Sequence, residues 1–199
     1  MTAQSEIEIL RDVDRFYKNL HLLFDDLTAR LTEKTLLSDF QVLTESSRGW
    51  TNAVNSEICR HLVFEHEGKI YFAGMLAKAE DHILSKNSPS YKHVCAQLRV
   101  NPLFPLLLVT GSFEPSNPER FKNDSNMRWL WVYYTLLLRV PLGVKVADPS
   151  VYRLNAILDL PGESEEGWWS VKSRIKIRKL SDIVDSNVVD SVAAELLSF

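Results

Sequence analysis

Two short runs of this sequence carry metal-ligand residue types at matched spacing. Cys59-Arg60-His61 and His93-Val94-Cys95 each place a cysteine and a histidine two apart. On strands, residues i and i+2 share a face. Two such strands side by side would offer Cys59, His61, His93 and Cys95 to one zinc ion with tetrahedral geometry. The competing reading is two buried thiols and two surface or hydrogen-bonded histidines. The spacing inside each pair is not a zinc-finger interval, and five histidines in 199 residues give such coincidences. The competing reading is preferred, and no cofactor is expected.

The most ordered charge pattern is SVKSRIKIRK at 170–179. Period-two alternation puts Lys172, Arg174, Lys176 and Arg178 on one face and Val171, Ser173, Ile175 and Ile177 on the other. A hairpin with YRLNAILDL at 152–160 fits this alternation. Pairing Asp159 with Trp168 sets Asn155 opposite Lys172 and brings Arg153 near Arg174. It also matches Leu158 with Trp169 and Ala156 with Val171 on the apolar face. The face so formed, Arg153, Lys172, Arg174, Lys176 and Arg178, is a candidate surface for an anion or a partner. Successive cations on a strand are about 7 Å apart, close to phosphate spacing along a nucleic acid, and Trp168 at one end could stack a base. The plainer reading is a cationic outer face that keeps a sheet from aggregating, or one paired with Glu163, Glu165 and Glu166 or with a helix.

The remaining histidines offer less. His66 sits between Glu65 and Glu67 at a hairpin tip, where solvated polar residues are ordinary. His82 beside Glu80 and Asp81 has the ingredients of a general base, but no nucleophile motif accompanies it. The chain contains no G-x-S-x-G elbow, phosphate-binding P-loop, H-E-x-x-H or dinucleotide glycine motif. Whether it is an enzyme is left open.

The elements that would carry these residues follow from hydrophobic period. Over 5–33, Ile9, Val13, Phe16, Leu20, Leu23, Leu27 and Leu31 recur at spacings of three and four, which predicts a long amphipathic helix. Ser5 and Glu8 fit a capping box. The helix is read either as packed on a sheet or as a coiled-coil dimerisation seam. TLLSDFQVL at 35–43 reads as a short helix, and RHLVFEHEGKIYFAGMLA at 60–77 as a β-hairpin turning at Glu67–Gly68. Residues 79–100 read as a helix broken at Pro89. LFPLLLVTGSF at 103–113 is a dense apolar run, and 114–127 a polar loop. RWLWVYYTLLLRV at 128–140 reads as a core strand covered on both faces, with a buried helix or an aromatic binding platform as alternatives. The chain closes with a helix over 181–197 whose apolar face is Ile183, Val184, Val188, Val192, Leu196 and Leu197.

Size and composition bound the function. A chain of 199 residues suits one domain, here taken as 1–199. Net charge is −3, against a general nucleic-acid binder; only the 172–178 face offers nucleic acid a place. Two cysteines suit free thiols in a reducing compartment. MTAQSEIEIL lacks the basic and apolar regions of a signal peptide, and no apolar run reaches the roughly 20 residues of a membrane span. A cytoplasmic location without membrane contact is expected.

The fold class expected is α+β, a mainly antiparallel sheet of five or six strands packed by the N-terminal and C-terminal helices. The function expected is a non-catalytic interaction or adaptor module that binds a protein partner or self-associates as a homodimer. A small-ligand or anion-binding sensor domain, and an enzyme lacking a recognisable motif, are the alternatives. Exposure of Leu20 and Leu27 would favour the adaptor, and their burial would weaken it.

Overall fold

The computed structural model describes residues 3–35, 41–46, 58–78, 88–124, 151–160, 171–183 and 185–199, without the side chains of some residues at element ends. The fold is α+β. Helix α1 (Ala3–Thr35) is followed by strands β1 (Gln41–Ser46), β2 (Ile58–His66) and β3 (Lys69–Lys78). Then come α2 (Ser88–Gln97), β4 (Leu107–Pro115), α3 (Pro118–Asn123), β5 (Ile157–Leu160), β6 (Val171–Lys179) and α4 (Ser186–Leu196). The six strands form one sheet in the order β1-β2-β3-β4-β6-β5, and every neighbouring pair is antiparallel. Among the described residues no helix is long and apolar enough to cross a membrane.

The β2–β3 hairpin turns where expected. Glu67 and Gly68 both take positive φ, 50° and 75°. A two-residue turn with positive φ at both positions matches the twist of the strands it joins. One glycine acts through contact instead. A Cβ on Gly111 would fall 2.1 Å from the carbonyl oxygen of Arg174, so β4 and β6 meet this closely only because that position has no side chain.

Both faces of the sheet are covered, which explains why β3 and β4 are buried along almost their whole length. On one face Val63, Ile70, Phe72, Val109, Phe113, Ile175 and Ile177 pack with Val94 and Cys95 of α2, Leu98 just after it and Phe121 of α3. On the other, Leu62, Phe64, Tyr71, Met75 and Leu108 meet α1 and α4. Helix α1 contributes Leu20, Phe24, Leu27 and Leu31, and α4 contributes Val189, Val192, Ala193 and Leu196. Full burial of side chains this size stabilises by roughly 1.5–3 kcal/mol each. Arg60 of β2 fastens α1 from below, donating to the His21 carbonyl and to Asp25 and lying 4.9 Å from the Phe24 ring centroid.

Several expectations change. Residues 41–46 form a strand, not the end of a short helix; the register with β2 shifts between Val42 and Thr44. Pro89 opens α2 rather than breaking it, since a proline in the first turn loses only an N–H that has no intrahelical partner. The loop at 114–127 contains α3, capped by the Asn117 side chain accepting from the Arg120 amide. The closing helix begins at Ser186, where Asp185 accepts from the amides of Asn187 and Val188. Leu180–Asp182 forms a 3-10 turn ahead of it. The stretch 128–140 and residues 80–82 lie outside the described residues.

Candidate functional site

The sheet register determines which charged side chains share a face. β5 and β6 do pair, but six residues out of the expected register. Asp159 lies opposite Arg174, Leu158 opposite Ile175 and Ile157 opposite Lys176. An even shift keeps every side chain on its predicted face, so the alternation survives while the partners change. Arg174 gains a carboxylate, Asp159, at 3.3 Å, and Arg153 is not set beside it. Arg153 is exposed on the segment before β5. The Trp168 and Trp169 partners lie outside the described residues.

The four β6 cations divide into two pairs. Lys176 and Arg178 run beneath α4, where Glu195 receives both: Lys176 Nζ at 2.6 Å and Arg178 through its other carboxylate oxygen. Arg178, 7% exposed, also donates to Thr110 Oγ1 at 3.1 Å. Burial opposes ionisation of Glu195, yet the Lys176 ammonium and Arg178 guanidinium outweigh it and hold the carboxyl below its ordinary value. Lys172 and Arg174 remain exposed. The Arg174–Asp159 pair is 53% and 77% exposed, a setting in which an ion pair is worth about 0–1 kcal/mol, so Asp159 is readily displaced.

Lys172 and Arg174 open into a cleft of about 690 Å³ at the end of the sheet, within the roughly 300–1,000 Å³ of small-molecule sites. Its lining comes from both faces. Ser112 and Glu114 of β4, Asp159 of β5 and Lys69 at the head of β3 share the face of Lys172 and Arg174. Ile70, Phe113, Pro115 and Leu160 come from the opposite face, and Phe199 closes the helix side. Glu114 pairs directly with Lys172 in the ladder, and Ser112 with Arg174. Among the described residues the cleft thus has a charged wall of three cations against two acids, and an apolar wall. Lys69, Ser112, Glu114 and Phe199 were not anticipated. Ser112 and Glu114 alternate on β4 as readably as the β6 cations do, but only the β4–β6 pairing joins the two strands, and nothing local encodes that neighbourhood.

The zinc reading loses its premise. His93 and Cys95 lie on α2, where residues two apart point to opposite sides; His93 is exposed and Cys95 is buried in the core. Cys59 and His61 do lie two apart on β2. His61 is 3% exposed, its Nε2 has no hydrogen-bond partner among the described residues, and burial pushes its pKa down to about 4. Among the described residues no group of three or more histidine, cysteine or acidic side chains is placed to hold a metal ion.

The self-association reading is divided by α1 itself. Leu20 and Leu27 are buried against the sheet, so a dimer seam does not run through them. Every side chain described between Glu8 and Asn19 is exposed, Phe16 at 40% among them. Compared with protein-family models, curated proteins and solved structures, the chain matches none.

Proposed function

We propose that this chain is a non-catalytic binding module whose site is the cleft at the end of β4, β5 and β6, and that the site takes an anionic ligand. The observation that carries this reading is the division of the β6 cations. Glu195 pairs with both cations of the inner pair, while the outer pair, Lys172 and Arg174, projects into a cleft of ligand size with Lys69 and Ser112 alongside. Arg174 presents a planar fork suited to a two-oxygen anion, and Ser112 a hydroxyl that donates or accepts. Lys172 and Lys69 add mobile charges. The two-cysteine composition supports placing this module in the cytoplasm.

A second reading, self-association through the first half of α1, is favoured by the exposure of the described side chains between Glu8 and Asn19. The helix is 33 residues long, about 50 Å at 1.5 Å per residue, and only its second half supplies buried anchors among the described side chains. A second copy aligned on that stretch would continue the Ile9–Val13–Phe16 spacing.

Native mass spectrometry of the purified full chain, set against its denatured mass, tests both. A surplus of mass that disappears in the Lys172→Ser/Arg174→Ser variant is the result expected. A bare monomer counts against a retained ligand. A bare dimer that reverts to monomer on Phe16→Glu moves the function to α1.

A further inference from the structure

We infer that the ligand of the cleft is an amphiphilic monoanion, a carboxylate head on an aliphatic or aromatic body. This rests on the anion-binding reading above and specifies its chemistry. Two features of the lining lead to it.

The first is the balance of charge. Among the described residues three cations, Lys69, Lys172 and Arg174, share the charged wall with two carboxylates, Glu114 and Asp159. Glu114 lies directly across the ladder from Lys172, and Asp159 directly across from Arg174. One negative charge entering between Lys172 and Arg174 meets an excess of one positive. Each further negative charge is set against Glu114 and Asp159, and like charges at that range discriminate against the wrong ligand. The wall therefore favours a single charge over a polyphosphate or a nucleic-acid backbone. Arg174 gives up Asp159 for the ligand head, exchanging one exposed carboxylate for another. No covalent step is involved.

The second is the two-sidedness of the cleft. It passes over the strand ends, so that its charged wall comes from one face of the sheet and its apolar wall from the other. The half-buried Pro115 and Leu160 form the accessible apolar side over the buried Ile70 and Phe113, while Phe199, packed with α1 and α4, stands on the face of the charged wall. Gly68, at the hairpin turn, has open space where a side chain would stand. A bare inorganic ion would occupy the charged wall and leave Pro115 and Leu160 uncovered. A ligand with a carboxylate head and an apolar body covers both, and burying the body supplies the gain that exposed charges alone do not.

The test is isothermal titration calorimetry of the full chain with acetate, butyrate, hexanoate and octanoate at fixed ionic strength, with octyl phosphate and pyrophosphate as comparisons. Each CH₂ buried raises affinity about fourfold. With about half of the six added methylenes covered, octanoate should bind on the order of a hundredfold more tightly than acetate. Octyl phosphate should bind more weakly than octanoate, and pyrophosphate more weakly still. Lys172→Ser/Arg174→Ser should abolish binding across the series; both side chains are exposed, so the variant folds. Leu160→Asn should flatten the dependence on chain length. If acetate and octanoate bind equally and both are lost in the double variant, the amphiphile is wrong and the anion site stands. Tighter binding of octyl phosphate than octanoate overturns the monoanion. If no compound binds, the anion reading falls with it.

Discussion

His61 gives this fold a pH dependence large enough to measure. Its ring lies in the core beneath the β1–β2–β3 sheet, opposite Ser46 on one side and Gly74 on the other. Among the described residues nothing donates to or accepts from Nε2, and burial moves the pKa from 6.5 to about 4. The folded value is depressed, so the unfolded chain binds the proton more tightly. Stability is therefore highest above the unfolded value and falls as pH drops from about 6.5 towards 4. Two and a half pKa units amount to about 3 kcal/mol at the low end, and about 2 kcal/mol is already lost at pH 5. The perturbation is His61→Leu, which removes both the titration and the unpartnered nitrogen. Urea denaturation of wild type and variant from pH 8 to pH 5 is the assay. At pH 8 the variant should equal or exceed wild type, because an unsatisfied buried polar atom costs about 1–3 kcal/mol. By pH 5 the gap should widen by about 2 kcal/mol. A gap that stays constant across this range would refute the reasoning, and would mean that His61 is protonated equally in both states.

Four further perturbations probe the elements that frame the cleft. Leu27→Ala should cost about 3 kcal/mol of unfolding free energy by cavity formation, and Phe16→Ala far less, in parallel denaturant titrations. The opposite order would place the packed part of α1 in its first half. Glu195→Gln should cost about 2 kcal/mol, because Arg178 keeps its burial and loses its carboxylate. Since the Glu195 pKa is lowered in the fold, that loss should be full above the ordinary carboxylate range and shrink as pH falls through it. Equal losses at pH 7 and pH 3 would contradict the clamp. Arg60→Met should raise the His21 pKa, which is now lowered by burial and then by the neighbouring guanidinium; NMR titration of the ring reads the shift, and an unchanged value would deny the contact. Gly111→Ala should destabilise strongly through collision with the Arg174 carbonyl, and a neutral result by thermal denaturation would show that β4 and β6 can part.

What the sequence made legible was local and periodic. The 60–77 hairpin was readable because Glu67–Gly68 supplies a turn between two apolar runs, and the β6 alternation because its period of two is unbroken over the eight residues 171–178. The β5–β6 register was not readable, since the face pattern is identical for any even shift and pattern alone cannot choose among them. The strand at 41–46 was missed because QVLTES is short and weakly patterned. The α4 face was partly legible: Val192 and Leu196 are buried as expected, Val189 and Ala193 join them, and the helix starts five residues later than expected, at the Asp185 cap. The cleft was half legible. Lys172 and Arg174 stood out, but Glu195's hold on Lys176 and Arg178 arises from the packing of α4 across the sheet. That long-range contact, not the cation count, decides which charges remain available.

The most direct test of the anion site is a ¹H–¹⁵N NMR map of the full chain during titration with inorganic phosphate and then with hexanoate. The account predicts that shift changes cluster at the amides of Lys69, Ser112, Glu114, Lys172 and Arg174. They should leave those of α2 untouched and vanish in the Lys172→Ser/Arg174→Ser variant. Changes centred on the first half of α1, or a map that survives the double substitution, would contradict it.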